Sequence, residues 1–464
     1  MEAARAAGAE YADARAVLRR EQSVATKNGG VDSLSDVESE GVGVRVLVGG
    51  AWGFACDRRL TSEGARAAAS RACEFALASG RGSVHRRLAE VEPQRATYRT
   101  AYEIDPFSVS IGDKIDICLR AEAGLARPEV KVAGAFARAL RENKLLVTSE
   151  GAEVEQELLE CGAGIDATAV GDGVTQIRSY PSAHSGSSAQ AGWEYVLGLG
   201  LDQEAPRVGE QAAALLQAPE CGADVMDIVI DAEQMQLQVH ESVGHPTELD
   251  RVLGSEAAYA GTSFLKPTDL GALRYGSALM NITADSTTPE GLGTFGFDDE
   301  GVPAAPQPIV REGVLVGWIG SREAGFPGSM RADGWSRMPL VRMTNLHLEP
   351  AKGTLEELID GVRDGLYLET NKSWSIDDKR LNFQFGTQAA WEIRDGKLGR
   401  LVRDATYTGI TPEFWSSLDA VAGRDAWRLQ GLTNCGKGQP GQSAHVSHGA
   451  APARFRGVQV GVHA

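Results

Sequence analysis

The chain has 464 residues, of which 42% are hydrophobic, and a formal net charge of −17. The length exceeds one ordinary core, so we expect two domains, and the apolar content excludes extensive disorder. The acidic balance excludes a phosphate-binding surface for nucleic acid. With no long apolar run and no signal-peptide pattern, we expect a cytoplasmic protein without membrane association.

The cysteines are scattered and form no C-x-x-C pair, which argues against a disulfide framework. We expect most of them to be small core residues. They are Cys56, Cys73, Cys118, Cys161, Cys221 and Cys435.

The N-terminal part begins with an Ala-rich segment, and we predict a helix over residues 2–14. Alternating apolar residues over 41–48 and 51–56 flank a Gly-Gly pair, which predicts a β-hairpin. A helix follows, for which Thr61 or Ser62 is a suitable cap.

Further helices are predicted around residues 111–126 and 203–217. Between them, strand-like segments at 130–140 and 145–149 are separated by Asn143-Lys144, which we interpret as a turn.

The second half is dominated by strand patterns and glycine turns, such as Asp395-Gly396. One amphipathic helix is predicted over 354–364, with Thr354 and Glu357 forming a capping box. This pattern predicts the α+β class with two domains. They are a mixed α/β domain over residues 1–210 and a β-rich domain over residues 211–464, which contains the motif described next.

Residues 236–250 contain the most informative motif, His240-Glu241 followed by His245. Two imidazoles around a carboxylate are the parts of a hydrolytic metal site. Five residues apart, the histidines would point roughly 140° apart on a regular α-helix. A widened, π-like turn near Ser242–Gly244 would reduce this angle to about 50°. Gly244 would tolerate that distortion.

Two histidines need at least a third protein ligand. C-terminal candidates are Glu248, Asp250, Cys435, His445 and His448. Cys435 stands in a Gly-rich segment that we interpret as a flexible loop, where a thiolate would benefit from a metal ion and from nearby Lys437. Spacing alone leaves open that Cys435 is a small turn residue.

The other histidines have simpler interpretations. His445 and His448 lie in a Ser/Gly/Ala-rich stretch that suits an exposed loop. His85, His184, His347 and His463 have no partner in the sequence.

Residues 240–250, H-E-S-V-G-H-P-T-E-L-D, resemble the H-E-x-x-x-H-x-x-E-x-D signature of the TldD/PmbA family of metallopeptidases. Further stretches resemble family blocks in the same order along nearly the whole chain. They are residues 41–55, 260–264, 291–303, 341–345, 435–442 (C-G-K-G-Q-P-G-Q) and 447–452 (S-H-G-A-A-P).

The resemblance implies that His240, His245 and Cys435 bind zinc and that Glu241 is the catalytic glutamate. Glu248, like Asp250, matches the tail of the signature, where we expect a supporting or packing role.

The resemblance also implies a zinc-dependent peptidase that acts on unfolded or extended peptides. Zinc would polarise the attacking water, and Glu241 would accept its proton and return it to the departing amine. A second donor to the carbonyl oxygen could come from His448, His445 or Lys437. The family pattern further implies a dimer, either with a homologous metal-free TldE/PmbA-like subunit or between two copies of this chain.

Two alternatives stay open at this point. One is a metal-dependent amide hydrolase that tailors a small or modified peptide in a biosynthetic pathway. The other is a non-enzymatic, metal-stabilised interaction or regulatory protein, which would have a closed site with four protein ligands.

Overall fold

The computed structural model describes residues 1–80, 86–183 and 186–461. It mixes helices with long antiparallel strands and confirms the predicted α+β class. The helices in this part of the chain are α1 Glu2–Ala6, α2 Ser62–Ser79, α3 Ile111–Gly124, α4 Trp193–Gly198, α5 Leu201–Leu215, α6 Ala232–Val239, α7 His245–Thr247, α8 Leu249–Val252, α9 Leu355–Asp360 and α10 Thr411–Ser416. His85, His184 and His463 lie outside the described residues.

The N-terminal half is built on one eight-stranded sheet. Its strands are β1 Tyr11–Lys27, β2 Gly30–Val48, β3 Ala51–Asp57, β4 Arg95–Arg99, β5 Val130–Thr148, β6 Glu153–Gly171, β7 Val174–Tyr180 and β8 Ser187–Ala189. The order is β3-β2-β1-β5-β6-β4, and both β7 and β8 pair with β6. Helix α2 packs on β2 and β3, whereas α3 packs on β1 and β5.

The C-terminal half contains a six-stranded, a seven-stranded and a two-stranded sheet. The strands are β9 Asp224–Ile230, β10 Ile282–Asp285, β11 Pro306–Arg311, β12 Val314–Leu315, β13 Met330–Arg331, β14 Leu340–Val341, β15 Asn345–Leu348, β16 Asp364–Ile376, β17 Asn382–Arg394, β18 Lys397–Val402, β19 Thr406–Ile410, β20 Leu418–Val421, β21 Arg428–Lys437, β22 Gln442–Ala450 and β23 Ala453–Val460.

Helix α6, which leads into the histidine motif, is held between the two large sheets of this half. The six-stranded sheet has the order β12-β11-β10-β15-β22-β21. The seven-stranded sheet has the order β16-β9-β23-β19-β17-β18, and β20 pairs with β23. Helix α6 contacts β22 of the first sheet and β16 of the second. Because the helix is packed on both sides, its position is fixed relative to strands far along the chain.

The predicted helix over residues 2–14 is wrong beyond its first turns. Helix α1 ends at Ala6, and β1 begins at Tyr11. Residues of β1 pair with β2 on one side and β5 on the other. Alanine suits a helix by intrinsic propensity, and the pairing of two long neighbouring strands overrides that preference here.

The predicted turn at Asn143-Lys144 is also wrong, because β5 runs without interruption through it. Charged residues obscure the alternation of this strand. Lys144 forms an ion pair of 2.7 Å with Asp299, and Glu142 forms one of 2.7 Å with Arg19. These charges are therefore enclosed, although their composition is typical of an exposed turn.

Other predicted elements are confirmed with adjusted bounds. Thr61 caps α2 by accepting a hydrogen bond from the Gly64 amide at 3.1 Å. The Thr354–Glu357 capping box is present. Helix α9 ends at Asp360, four residues before its predicted end, because strand β16 begins at Asp364.

The division of the chain into domains at 210/211 stays a prediction. That position lies inside α5, and the first strand of the C-terminal sheets begins at Asp224. A cut between residues 216 and 223 would leave every helix and strand whole.

None of the helices in the described residues combines the length and apolar character needed to cross a membrane.

Candidate metal centre

The histidine motif lies on a helix that changes its pitch. Asp231 caps α6 by accepting a hydrogen bond from the backbone amide three residues on, at 2.9 Å. The helix then widens into a π-helical turn at His240–Gly244 and resumes as α7 at His245. The two imidazole centroids lie 4.8 Å apart. The widened turn predicted from the five-residue spacing is confirmed.

Side chains from distant segments hold the widened turn in place. The Tyr275 hydroxyl donates a hydrogen bond of 2.5 Å to the backbone carbonyl of Ser242. The Ser242 hydroxyl donates to the Gln238 carbonyl at 2.5 Å and accepts from the Trp415 indole at 2.9 Å. The buried polar groups of Ser242 are therefore satisfied, which removes a main cost of a π-helical turn.

Gly244 has a different role from the one predicted for it. Its φ of −57° is an ordinary right-handed value, so the turn does not depend on the conformational freedom of glycine. A Cβ atom at this position would lie 2.0 Å from the Met343 sulfur. Glycine is needed here because the helix packs closely against the segment before β15.

Three side chains of types that can bind a metal ion converge beside this turn. His240, His245 and Cys435 are all buried, and their ligand atoms lie within 4.8 Å of one another. The Cys435 Sγ atom is 4.0 Å from Nε2 of His245. Tetrahedral zinc with ordinary bond lengths would place such atoms roughly 3.3–3.6 Å apart. The arrangement fits a zinc ion after small side-chain movements.

Hydrogen bonds on the far side of each imidazole select the nitrogen that faces the cysteine. His448 Nδ1 lies 3.3 Å from the Leu346 carbonyl, which can only accept, so Nε2 of His448 is the acceptor for His240 Nδ1–H at 2.7 Å. His245 Nδ1–H donates to Glu248 at 2.9 Å. Both ligand histidines therefore present an unprotonated Nε2 to the centre.

Charged residues behind the histidines keep Glu248 ionised. Burial would raise the pKa of Glu248, but Lys437 and His245 lower it well below its usual range. The Lys437 ammonium lies 3.4 Å from Glu248 and 2.8 Å from Asp250. Glu248 thus contacts His245 from behind, and Asp250 is linked to Glu248 through Lys437.

Cys435 lies in strand β21, which corrects the prediction of a flexible loop. Burial raises the pKa of its thiol, but Arg342 and His245 outweigh burial and lower the pKa below its usual value. The Arg342 guanidinium also donates a hydrogen bond to the Cys435 carbonyl. Arg342 therefore supplies the positive charge that was expected from Lys437, whose ammonium is engaged by Asp250.

Glu241 lies beside the three ligands and is paired with Arg380. An Arg380 Nη atom lies 2.6 Å from the Glu241 carboxylate. Burial raises the pKa of Glu241, but the combined effect of the two histidines and Arg380 lowers it, so the carboxylate is ionised. Arg380 occupies the turn between β16 and β17 with a φ of 62°. Nothing in the sequence around Arg380 predicted its place at this site.

The remaining candidates are placed away from the ligand atoms. His445 bonds to Glu160 of β6 at 2.5 Å. His347 bonds to the Thr288 hydroxyl at 2.7 Å. Lys437 donates to the Val341 carbonyl in addition to Asp250. Of the three side chains expected to assist the carbonyl oxygen, only His448 lines the cleft, and its ring is engaged by His240 and Leu346.

The ligand atoms open into a cavity of about 260 Å³. One wall is the face of α6, a second is residues 430–432 and 434–436 of β21, and a third includes Trp374 and Arg380. The site therefore combines a metal-binding donor set, a buried carboxylate and room for a ligand, which is what metal-assisted hydrolysis requires.

Three family models match the chain along most of its length. Models described as PmbA/TldA metallopeptidase domain 1, central domain and C-terminal domain match residues 12–76, 104–218 and 223–462, respectively. The first two matches divide the N-terminal half into two units, although strands of both belong to the same sheet.

Curated relatives carry metalloprotease names. A metalloprotease of Synechocystis is 30% identical over 460 residues, covering 96% of this chain and 94% of that protein. A protein of Saccharolobus solfataricus named as a zinc metalloprotease TldD homolog is 24% identical over 245 residues, about half of each chain. In fold, the crystal structure of TldE from Thermococcus kodakarensis is similar, with a TM-score of 0.78, 13% identity and coverage of 99% and 98%.

Proposed function

The chain belongs to the PmbA/TldD family of metallopeptidases, and on that premise we propose that it is a zinc-dependent peptidase acting on unfolded or extended peptides. The observation that carries the proposal is the convergence of two imidazoles and a thiol, with ligand atoms within 4.8 Å of one another, in an open cleft beside Glu241. A purely structural zinc site would have four protein ligands and no cleft.

Each residue of the site has a separate role in hydrolysis. Zinc, when bound by His240, His245 and Cys435, supplies the Lewis acidity that polarises water and the peptide carbonyl. Glu241 accepts a proton from the attacking water and returns it to the departing amine. Arg380 orients the Glu241 carboxylate and, with His245 and His240, keeps it ionised. We assign its guanidinium as a second donor to the carbonyl oxygen.

The choice of an extended substrate rests on strand β21. This strand ends the six-stranded sheet, and residues 430–432 and 434–436 form a wall of the cleft. A peptide that adds to a strand edge is held through its backbone, independently of sequence. Folded proteins cannot present a backbone in that way, so we expect unfolded chains and peptides to be preferred.

Zinc content and peptide cleavage test the proposal directly. We expect activity on casein-derived peptides to disappear when a chelator removes the metal and to return when zinc is added. Undiminished cleavage by protein that elemental analysis finds free of metal would contradict the proposal.

Glu241→Gln separates metal binding from chemistry. The variant keeps the shape of the side chain but cannot accept a proton, so we expect normal zinc content and loss of cleavage. Glu220→Gln serves as the control, because Glu220 has an exposed side chain near Arg403 and does not line the cleft. Full activity in Glu241→Gln would rule out the assigned mechanism.

We further propose that the protein works as a dimer, with a second copy or a homologous subunit, in a reducing compartment such as the cytoplasm. Support for a dimer comes from β2, whose residues 30–40 are exposed and carry Val31, Leu34 and Val37, each more than half exposed. Support for the compartment is that all six cysteines are free, including the proposed ligand. Light scattering of the purified protein tests pairing with a second copy, and a monomer at micromolar concentration would contradict that form of the dimer.

A further inference from the structure

The end of the cleft remote from the ligands contains a second carboxylate, that of Glu233. This residue and His240 both line the cavity, together with Gln236 and Leu237 between them. Spacings of three, four and seven residues place these side chains on one face of α6. Seven residues of helix place Glu233 about 10.5 Å from His240 along the axis.

The Glu233 carboxylate is held in place by backbone groups. Its Oε2 atom accepts a hydrogen bond of 2.9 Å from the Asn371 amide, and the Ala183 amide interacts with it as well. Neither neighbour carries a charge, so these contacts fix the position of the carboxylate without neutralising it.

Charge around Glu233 is unbalanced. Asp231 and Glu369 add two further carboxylates, and Arg178 is the nearby cation. Arg178 already forms an ion pair with Glu369 and a hydrogen bond of 3.0 Å with Gln211. Among the described residues, Glu233 itself has no ion-pair partner.

Burial of this uncompensated carboxylate raises the pKa of Glu233 to about 7. A group of this kind gains most from a cation that enters the cleft, because the cation restores the charged form that burial disfavours. The indole of Trp374, 47% exposed, lines the same cavity and offers an aromatic face suited to an ammonium or guanidinium group.

We propose that Glu233 binds a cationic group of the substrate, either the α-ammonium of a peptide or a Lys or Arg side chain, in a subsite at the far end of the cleft. The proposal rests on the peptidase function proposed above. An extended peptide advances about 3.3 Å per residue, so the 10.5 Å between Glu233 and His240 corresponds to roughly three residues from the cleaved bond.

A helix-stabilising role is the competing explanation, since Glu233 lies in the first turn of α6, where a negative charge is favourable. That role would affect folding stability and would not depend on the charge of the peptide. The two explanations therefore differ in the measurement described next.

The test uses fluorescent peptides that differ only in charge, in the full-length zinc protein. One series carries lysine or norleucine at successive positions around the cleaved bond, and the other has a free or acetylated N-terminus. We expect wild-type kcat/KM to be at least about ten-fold higher for the cationic peptide three residues from the bond, as a buried charged hydrogen bond requires. The series in which kcat/KM depends on charge shows whether the cation is a side chain or the N-terminal ammonium.

Glu233→Gln keeps the hydrogen-bond acceptor for Asn371 and removes the charge. We expect the ratio of kcat/KM between cationic and neutral peptides to fall to about one, while Glu220→Gln, which removes one surface charge, keeps the wild-type ratio. Preference that persists in Glu233→Gln, or a wild-type enzyme without preference, would overturn the proposal.

Equilibrium binding separates this proposal from the proposed activity. The same peptides are titrated into Glu241→Gln with and without Glu233→Gln, and their fluorescence anisotropy is measured. Charge-dependent binding without cleavage by the wild type would reject the peptidase function and keep the subsite, whereas charge-independent binding would reject the subsite whatever the activity.

Discussion

The two ends of the cleft differ in how their charged groups are partnered. At the metal end, Glu241 pairs with Arg380 and Glu248 with Lys437. At the other end, Glu233 is half-buried, where Glu241 and Glu248 are buried, and it receives only backbone hydrogen bonds. The two ends of the cleft lie along the same face of one helical segment.

We interpret this difference as one between groups that carry out catalysis and a group that binds the substrate. Catalytic groups must be held in their reactive geometry before substrate arrives, so each is fixed by a partner within the protein. A group that recognises substrate charge gains affinity only when its partner comes from outside. The following variants test whether the two ends divide in this way.

The largest effect is expected for Cys435→Ser at the metal end. A hydroxyl is a poor substitute for a thiolate, so we expect zinc to be lost on dialysis and cleavage to fall by more than about 100-fold, the upper range for groups that only support ligands. Zinc per chain is measured by elemental analysis. His445→Gln, which alters a histidine bonded to Glu160, is the control and should retain its metal. Full zinc occupancy in Cys435→Ser would remove this residue from the site.

An intermediate effect is expected for Arg380→Gln. Loss of the guanidinium removes the partner of Glu241 and a donor for the carbonyl oxygen, so we expect kcat to fall by about 10²–10³ with zinc content unchanged. Arg380→Lys should recover part of kcat. If Arg380→Gln lost zinc or thermal stability while kcat per zinc-loaded enzyme stayed unchanged, Arg380 would have a structural role only. That result would weaken the distinction between the two ends of the cleft.

The smallest effect concerns stability at the receptive end. The folded-state pKa of Glu233 is raised by burial from 4.5 to about 7, so the folded protein binds this proton more tightly than the unfolded chain. Stability from this group is therefore lost as the pH rises from about 4.5 to about 7. We therefore expect the difference in melting temperature, Glu233→Gln minus wild type, to become more positive as the pH is raised from 5 to 8. For Glu220→Gln we expect a melting-temperature difference from wild type that is constant with pH. The same result for Glu233→Gln would contradict the conclusion that Glu233 has no ion-pair partner.

The part of the site that could be predicted from sequence is the part encoded locally. His240, Glu241 and His245 are neighbours, and their spacing requires a widened helical turn if both histidines face one ion. The position of Cys435 came from resemblance to a family, because no local pattern links residues that are 190 positions apart.

Arg380, Arg342 and Tyr275 could not be predicted, since each reaches the site from a separate strand connection or sheet. The fold was misjudged for a related reason. Lys144 suggests a turn by composition, yet it lies in a strand because its charge is met by Asp299, which lies in the other half of the chain. Long-range partners of this kind are not visible in a single sequence.

The π-helical turn has a consequence for the order in which the protein matures. Its stabilising contacts come from Tyr275, Met343 and Trp415, and the thiol arrives later still on β21. Contacts between residues so distant in sequence form late in folding, because the intervening chain must first be ordered. During synthesis the two histidines emerge long before the segments that align them. Tight zinc capture is therefore expected only after the C-terminal sheets have closed, so a nascent or truncated chain would be catalytically silent.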